Sequence, residues 1–188
     1  MKEINEGVDE RELDMILATG EQKSVSVMAS AFRKNGIPAI SLNAFQVPIY
    51  TDSNYGNAKI LDIGKKRIQK ELSEKKIVIV TGFQGIDKNY NLTTLGRGGS
   101  DTTAVALAAK FNADKCEIYK DVDGVYNNDP KIDMYAKKFD RLEFDEMLEL
   151  SNSGAKILQN KSIEIAKKYY VPIFIKSIFT NRVGTLIN

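Results

Sequence analysis

The chain contains no histidine, and its 188 residues include a single cysteine, Cys116. The first absence excludes Ser-His-Asp and Cys-His catalysis and any histidine-ligated metal. One thiol builds neither a thiolate cage nor a disulfide within the chain, which fits a reducing, cytoplasmic compartment. The longest run of branched aliphatic residues is "IVIV" at 77–80, far short of a membrane span. The N-terminal "MKEINEGVDERELD" is acidic and lacks the apolar core of a signal peptide. Neither sign of charge dominates: 27 basic residues stand against 25 acidic ones, a net +2, so no nucleic-acid surface is expected. The basic run over 65–76 is broken by Glu71 and Glu74 and reads as a solvated helix face. The phosphate signatures GxxxxGK[ST] and GxGxxG after a strand are both missing. Catalytic chemistry, if present, rests on Lys, Arg, carboxylates, hydroxyls, backbone N–H groups or a hard cation bound to oxygen.

What is present is the material of a globular core, with 43% hydrophobic and 28% charged residues. The length suits one domain with two lobes. Periodicity predicts helices over 9–19 and 21–35, punctuated by Gly20, with Val25, Met28, Ala29 and Phe32 inward. Short strands follow at "AISL", "PIYTD" and "AKILDI", the last two paired around "SNYG". A charged helix covers 64–75, and "KIVIVTGFQG" runs as a strand into a glycine turn. A long polar loop over 86–99 leads to a helix over 100–112, with Ser100 or Asp101 as its cap. "KCEIYKD", "VPIFIKS" and "GTLI" read as strands, and 144–151 and 154–169 as helices. This alternation predicts an α/β fold, three-layer α/β/α, with a largely parallel central sheet whose strand-following loops gather on one edge.

Three glycine-bearing loops stand at such positions. In "TGFQG", Gly82 and Gly85 either make the turn a strand end needs or let backbone N–H groups approach an anion. In "TTLGRGGSD", Gly98 and Gly99 flank the start of a helix whose first-turn N–H groups carry partial positive charge. Arg97 adds a fork suited to a carboxylate or phosphate. Ordering each glycine costs about 1 kcal/mol relative to alanine. The third loop, "YKDVDGVYNNDP", carries Asp121, Asp123, Asp129 and Tyr126. It is not an EF-hand, because Gly124 stands fourth where that loop needs its glycine sixth. It serves either as a surface turn or as a nucleoside cradle. Glu21, after Gly20, either favours a helix dipole or receives a ligand ammonium. Lys156, in "SGAKIL", is either an exposed lysine or the partner of a bound anion.

Taken together, these segments resemble the amino-acid kinase family, and within it the aspartokinases. The text that carries the resemblance is "GEQ" at 20–22, "SLNAFQ" at 41–46, "VTGFQG" at 80–85, "TTLGRGGSDTTAVALAA" at 93–109, "DVDGVYNNDP" at 121–130, "EMLELSNSGAKIL" at 146–158 and "GTLI" at 184–187. The resemblance implies transfer of the ATP γ-phosphoryl group to the side-chain carboxylate of L-aspartate, with Mg²⁺ accompanying the nucleotide. It implies that Glu21 receives the aspartate ammonium and that Arg97, with Gly98, Gly99 and Ser100, clamps the α-carboxylate. Asp101 would orient groups around the transferring phosphoryl. Lys120 and Asp121 would line the nucleoside site, with Tyr126 and Lys131 nearby, Lys156 would approach the ATP phosphates, and Gly82 and Gly85 would belong to the same cofactor-binding set. Residues 1–110 would then form mainly the aspartate side and 111–188 mainly the nucleotide side of one partial catalytic domain.

The chain departs from the family pattern in several places. The family's "KFGGTS"-like strand and loop, with its lysine, has no counterpart, nor do the regulatory modules usual after the catalytic domain. Lys120 stands where many relatives have threonine, Lys131 where many have arginine, and Gln159-Asn160 where many have His-Pro. A homo-oligomer or a complementing N-terminal segment is therefore an expected partner. Other readings are a non-catalytic remnant that binds nucleotide or aspartate, or a different amino-acid kinase such as one acting on glutamate. Losing one preorganised donor lowers a rate about 100- to 1,000-fold. The 188-residue chain alone should therefore release little ADP from Mg-ATP and aspartate in a coupled assay, and robust turnover would refute this.

Overall fold

The computed structural model describes residues 9–188 except 129, 131, 155 and 156. The chain divides into two compact units, Met1–Thr103 and Ala104–Asn188.

The first unit opens with helix α1, Glu10–Lys34. Asp9 caps it by accepting from the Arg11 amide at 2.8 Å, and Glu10 and Glu12 at one end and Arg33 and Lys34 at the other complement the dipole. The expected break at Gly20 does not occur. Glycine inside a helix costs only about 1 kcal/mol relative to alanine, and burial of one stripe offsets that. The stripe is Asp14, Ala18, Val25 and Ala29, while Gly20 is exposed, with nothing within 4 Å of where a Cβ would stand. Ala29 and Val25 point inward as expected and Phe32 is half-buried, but Met28 is 52% exposed. The face is set by the small residues that let the helix approach closely, not by the largest apolar ones.

Strands β1 (Ala39–Leu42), β2 (Ile49–Thr51) and β3 (Ile60–Ile63) follow, then helix α2 (Lys66–Ser73) and strand β4 (Ile77–Val80). β1 and β4 pair in parallel, from Ala39↔Ile77 to Leu42↔Val80. β2 and β3 form the expected antiparallel pair. On α2 the basic face is solvated, but Glu71 is buried and held by Arg67 Nε at 2.8 Å and Lys76 Nζ at 2.6 Å.

The region expected as a long loop contains a hairpin, β5 (Gln84–Ile86) against β6 (Leu92–Thr94). Its strands carry buried Gln84, Thr93 and Thr94, so no apolar alternation announces them. A parallel contact at Tyr50↔Ile86 completes the sheet order β3-β2-β5-β6. The turn of this hairpin is built on Asp87. Its carboxylate accepts from the Asn89 and Asn91 amides at 2.8 and 2.9 Å, from Ser53 Oγ at 3.1 Å and from the Tyr55 hydroxyl at 3.0 Å. Burial opposes its charge, but these donors outweigh burial and hold the carboxyl below its ordinary range.

Helix α3, Gly99–Phe111, carries the chain into the second unit. There β7 (Cys116–Lys120), β8 (Arg141–Leu142), β9 (Ile173–Ser177) and β10 (Thr185–Ile187) form a sheet in the order β7-β9-β10-β8. Helices α4 (Phe144–Asn152) and α5 (Asn160–Tyr169) lie between β8 and β9 in sequence. The core gathers Val105, Ile118, Met147, Ile163, Ile173 and Ile175. α5 starts at Asn160, six residues after the expected position. β8 is only two residues long, too short for any periodicity to show. The α/β class expected from the sequence is what the chain adopts, with parallel strand pairs in each of three sheets among the described residues. Among those residues no helix is long and apolar enough to cross a membrane.

Neighbouring strands β7 and β9 also share a charge cluster. Glu117 accepts from Lys115 Nζ and Lys176 Nζ, both at 2.7 Å, and from the Tyr119 hydroxyl at 3.1 Å. Those lysines lower its pKa from 4.5 to about 2. The folded pKa lies below the unfolded one, so the stabilisation is present above pH 4.5 and is lost as pH falls towards 2. Glu117→Gln should therefore lower the melting temperature at neutral pH, with the gap to the parent closing across that acid range. A gap that persists unchanged at the acid end would show that the side chain acts through packing instead.

Candidate functional site

Two of the three glycine loops form one structure. The Leu95 amide donates to the Phe83 carbonyl at 2.9 Å. The Phe83 amide donates to Thr103 Oγ1 at 3.0 Å, and that hydroxyl donates to the Gly99 carbonyl at 2.9 Å. A Cβ on Gly82 would lie 2.8 Å from Ser100 Oγ and 3.0 Å from Ser100 Cβ, so glycine is what lets the loop after β4 touch the start of α3. Gly98 turns the chain with φ +69°, a left-handed conformation that favours glycine. α3 begins at Gly99, so Ser100 and Asp101 occupy its first turn and neither is the cap that spacing suggested. Ser100 is exposed and Asp101 half-buried.

Arg97 projects from this loop and is exposed. Its guanidinium has no hydrogen-bond or ion-pair partner among the described residues, a costless state for a solvated cation and a ready one for an anion. Glu21 lies in the middle of α1 rather than in a first turn, so the helix-dipole explanation for it falls. Its carboxylate is half-buried and likewise unpartnered among the described residues. The next residue, Gln22, donates to Gln84 Oε1 at 3.3 Å, and Gln84 donates to the Ala18 carbonyl at 3.2 Å. Gly85 sits inside β5, where a Cβ would fall 2.9 Å from the Ile49 carbonyl oxygen, so sheet packing accounts for that glycine.

Two residues here escaped the sequence reading. Asp14 is fully buried and accepts from the Gly56 amide, from the Thr94 amide at 2.8 Å and from Thr94 Oγ1 at 2.6 Å. No local pattern distinguishes it from the solvated acids around it. Thr81, directly after β4 and before Gly82, is fully buried, and its hydroxyl has no partner among the described residues. A buried hydroxyl without a partner costs about 1–3 kcal/mol, and a ligand or water oxygen would satisfy it.

In the second unit, Lys120 ends β7 half-buried and Asp121 begins the following bend, exposed. Tyr126 is half-buried and pairs with Lys138 in an isolated antiparallel bridge. Its hydroxyl donates to Asp123 Oδ1 at 2.6 Å, which lowers the Asp123 pKa and raises that of Tyr126. Arg182 faces the same carboxylate at 3.6 Å. Lys131, Lys156 and Asp129 lie outside the described residues. Among the described residues no group of three or more Asp, Glu, Cys or His side chains is placed to hold a metal ion.

The chain belongs to the amino acid kinase family, whose model matches residues 1–177. Among its relatives, the aspartate kinase of Stutzerimonas stutzeri strain A1501 is 48% identical over 186 residues. That match takes in 99% of this chain and 45% of the relative. The crystal structure of E. coli aspartokinase III in complex with aspartate and ADP superposes with a TM-score of 0.90 at 29% identity, over 96% of this chain and 41% of that one. Aspartate kinase from Synechocystis gives 0.84 at 42% identity, over 99% and 31%. The chain thus spans less than half the length of the relatives it matches.

The loop junction predicts a stability effect. A Cβ on Gly99 would stand 2.9 Å from Leu95 Cβ and 3.2 Å from Phe83 Cα, so the backbone itself must move. Gly99→Ala should destabilise the chain by about 1–3 kcal/mol, as overpacking does. A urea unfolding curve with an unchanged midpoint would refute that close approach.

Proposed function

We propose that this chain is the catalytic portion of an aspartate kinase, which moves the ATP γ-phosphoryl group onto the side-chain carboxylate of L-aspartate to give 4-phospho-L-aspartate. The observation that carries the reading is the joined pair of glycine loops with an unpartnered Arg97 at their edge, in a chain nearly half identical to aspartate kinases. Residues 1–110 serve mainly the amino acid and 111–188 mainly the nucleotide.

The chemistry suits a chain without histidine. The attacking carboxylate is already ionised at neutral pH, so no general base is required, and phosphoryl transfer depends on positioning and charge neutralisation. Arg97 takes the α-carboxylate in a bidentate fork, helped by Ser100 and the amides around Gly98 and Gly99. Glu21 receives the ammonium. Together they select a zwitterion over carbamate or a nucleotide acceptor. Asp101, in the first turn of α3, orients groups about the transferring phosphoryl. The backbone at Gly82 faces the anion, and the Thr81 hydroxyl supplies a donor beside it. Lys120, Asp121 and the ring of Tyr126, its hydroxyl already tied to Asp123, hold the nucleoside, with Lys131 nearby and Lys156 towards the phosphates. Mg²⁺, bound with the nucleotide, would supply neutralisation of phosphate charge. Among the described residues no carboxylate cluster is placed to cage it, which fits an ion that would enter with the nucleotide. The single, buried Cys116 accords with a cytoplasmic enzyme.

A charge-assisted hydrogen bond contributes about 1.5–3 kcal/mol. In the full-length protein that carries this sequence, Arg97→Ala should therefore raise the aspartate KM by about 10- to 150-fold and leave that for ATP nearly unchanged. Steady-state kinetics with each substrate varied, and with glutamate as a competing acceptor, checks it. Equal losses for both ligands would mean that the loop serves the fold or the phosphates.

A further inference from the structure

We infer that Asp14 is a positioning residue: it sets the placement of Arg97 relative to Glu21 and so governs amino-acid binding without touching the ligand. The inference rests on the aspartate reading above and adds to it a residue outside the glycine loops.

Burying a carboxylate is costly unless donors surround it. Asp14 has none of its surface exposed, and its two oxygens are satisfied by three donors. The Gly56 amide lies 3.1 and 3.0 Å from the two oxygens, the Thr94 amide at 2.8 Å and Thr94 Oγ1 at 2.6 Å. An apolar side chain would hold α1 to the sheet as firmly. What a carboxylate adds is direction, because each bond fixes an angle as well as a distance.

Both sets of donors lead to the loop that carries Arg97. Thr94 ends β6, three residues before Arg97, and its carbonyl is bonded in turn by the Ala58 amide at 2.9 Å. Gly56 offers its amide to Asp14 while its carbonyl oxygen abuts Gly96, where a Cβ would come within 2.9 Å. Arg97 is thus braced on its N-terminal side through two backbone segments that meet at one carboxylate. In the other direction, Asp14 and Glu21 stand two turns apart on an unbroken helix, Asp14 in the buried stripe with Ala18 and Val25 and Glu21 half-buried. Other side chains tie α1 elsewhere: Arg11 to Asn91 in the hairpin turn at 3.0 Å, and Gln22 to Gln84 in β5 at 3.3 Å.

The test uses the full-length protein carrying this sequence. Asp14→Asn keeps the shape but turns an amide NH₂ towards a donor. It should raise the aspartate KM by about 10- to 100-fold and change the ATP KM by less than about twofold, while unfolding stays cooperative. Thr94→Val should give a smaller rise of the same kind, and Thr94→Ser should restore parent values. If Asp14 acts through Arg97, adding Asp14→Asn to Arg97→Ala should raise the aspartate KM by no more than about twofold further. Additive losses, proportionate losses for both substrates, or an unchanged aspartate KM would overturn the inference. Amide hydrogen exchange gives a ligand-free reading. Asp14→Asn should speed exchange at Gly56 and across 94–98 while β7 and β9 stay protected, and uniform loss of protection would count against it. A parent enzyme that phosphorylates another amino acid instead would defeat the aspartate reading alone, since the Asp14–Arg97 coupling is then read on that acceptor.

Discussion

The buried carboxylate of Asp14 is the constraint on which the first unit turns. A charge withdrawn from water must be met by donors at fixed positions, and here those donors are backbone amides of two different segments together with one hydroxyl. A 25-residue helix, the turn at Gly56 and the end of β6 therefore hold one mutual geometry. Hydrophobic contact alone would let the helix slide or rotate by small amounts with little change in energy. The helix carries Glu21 and the end of β6 leads into Arg97, so a single electrostatic knot fixes the frame from which both charges proposed to meet the amino acid extend.

A second constraint is backbone proximity. Gly82 and Gly99 bring the segment after β4 against the first turn of α3, and the Leu95–Phe83 and Phe83–Thr103 bonds lock that approach. Threonines recur at this junction for a physical reason. Thr94 and Thr103 each lend a hydroxyl to polar groups that tight packing has removed from water, and neither adds bulk the junction cannot hold. Thr81 is the exception, its buried hydroxyl unpartnered among the described residues. A ligand or a water oxygen would satisfy it.

The second unit is organised differently. Its core is branched aliphatic, and its polar interactions lie along the strand surfaces and loops, as at Glu117 with its two lysines and at Asp123 with Tyr126. Tethering the Tyr126 hydroxyl to Asp123 restrains the half-buried ring.

Much of this was legible in the linear sequence. Strand-like apolar runs such as "IVIV" and "IFIKS" lie where strands form, because continuous β-branched runs leave few alternatives. The clustered glycines of 96–99 mark a turn before a helix for the same local reason. Other features were not legible. Gly20 looks like a boundary, yet helix propensity is a weak local term that burial of a whole face overrides. The β5–β6 hairpin is invisible because its buried positions are Gln84, Thr93 and Thr94, whose burial depends on partners distant in sequence. The sequence by itself determined the α/β class, which follows from periodicity, the family, which follows from the resemblance of its motifs, and which residue types can bind an anion or a zwitterion, which follows from side-chain chemistry. Only the tertiary structure decided that Asp14 is an anchor rather than a solvated acid, that the first two glycine loops are one, and that Gly85 packs a sheet. Each of those depends on what approaches from elsewhere in the chain, and that has no counterpart in local sequence.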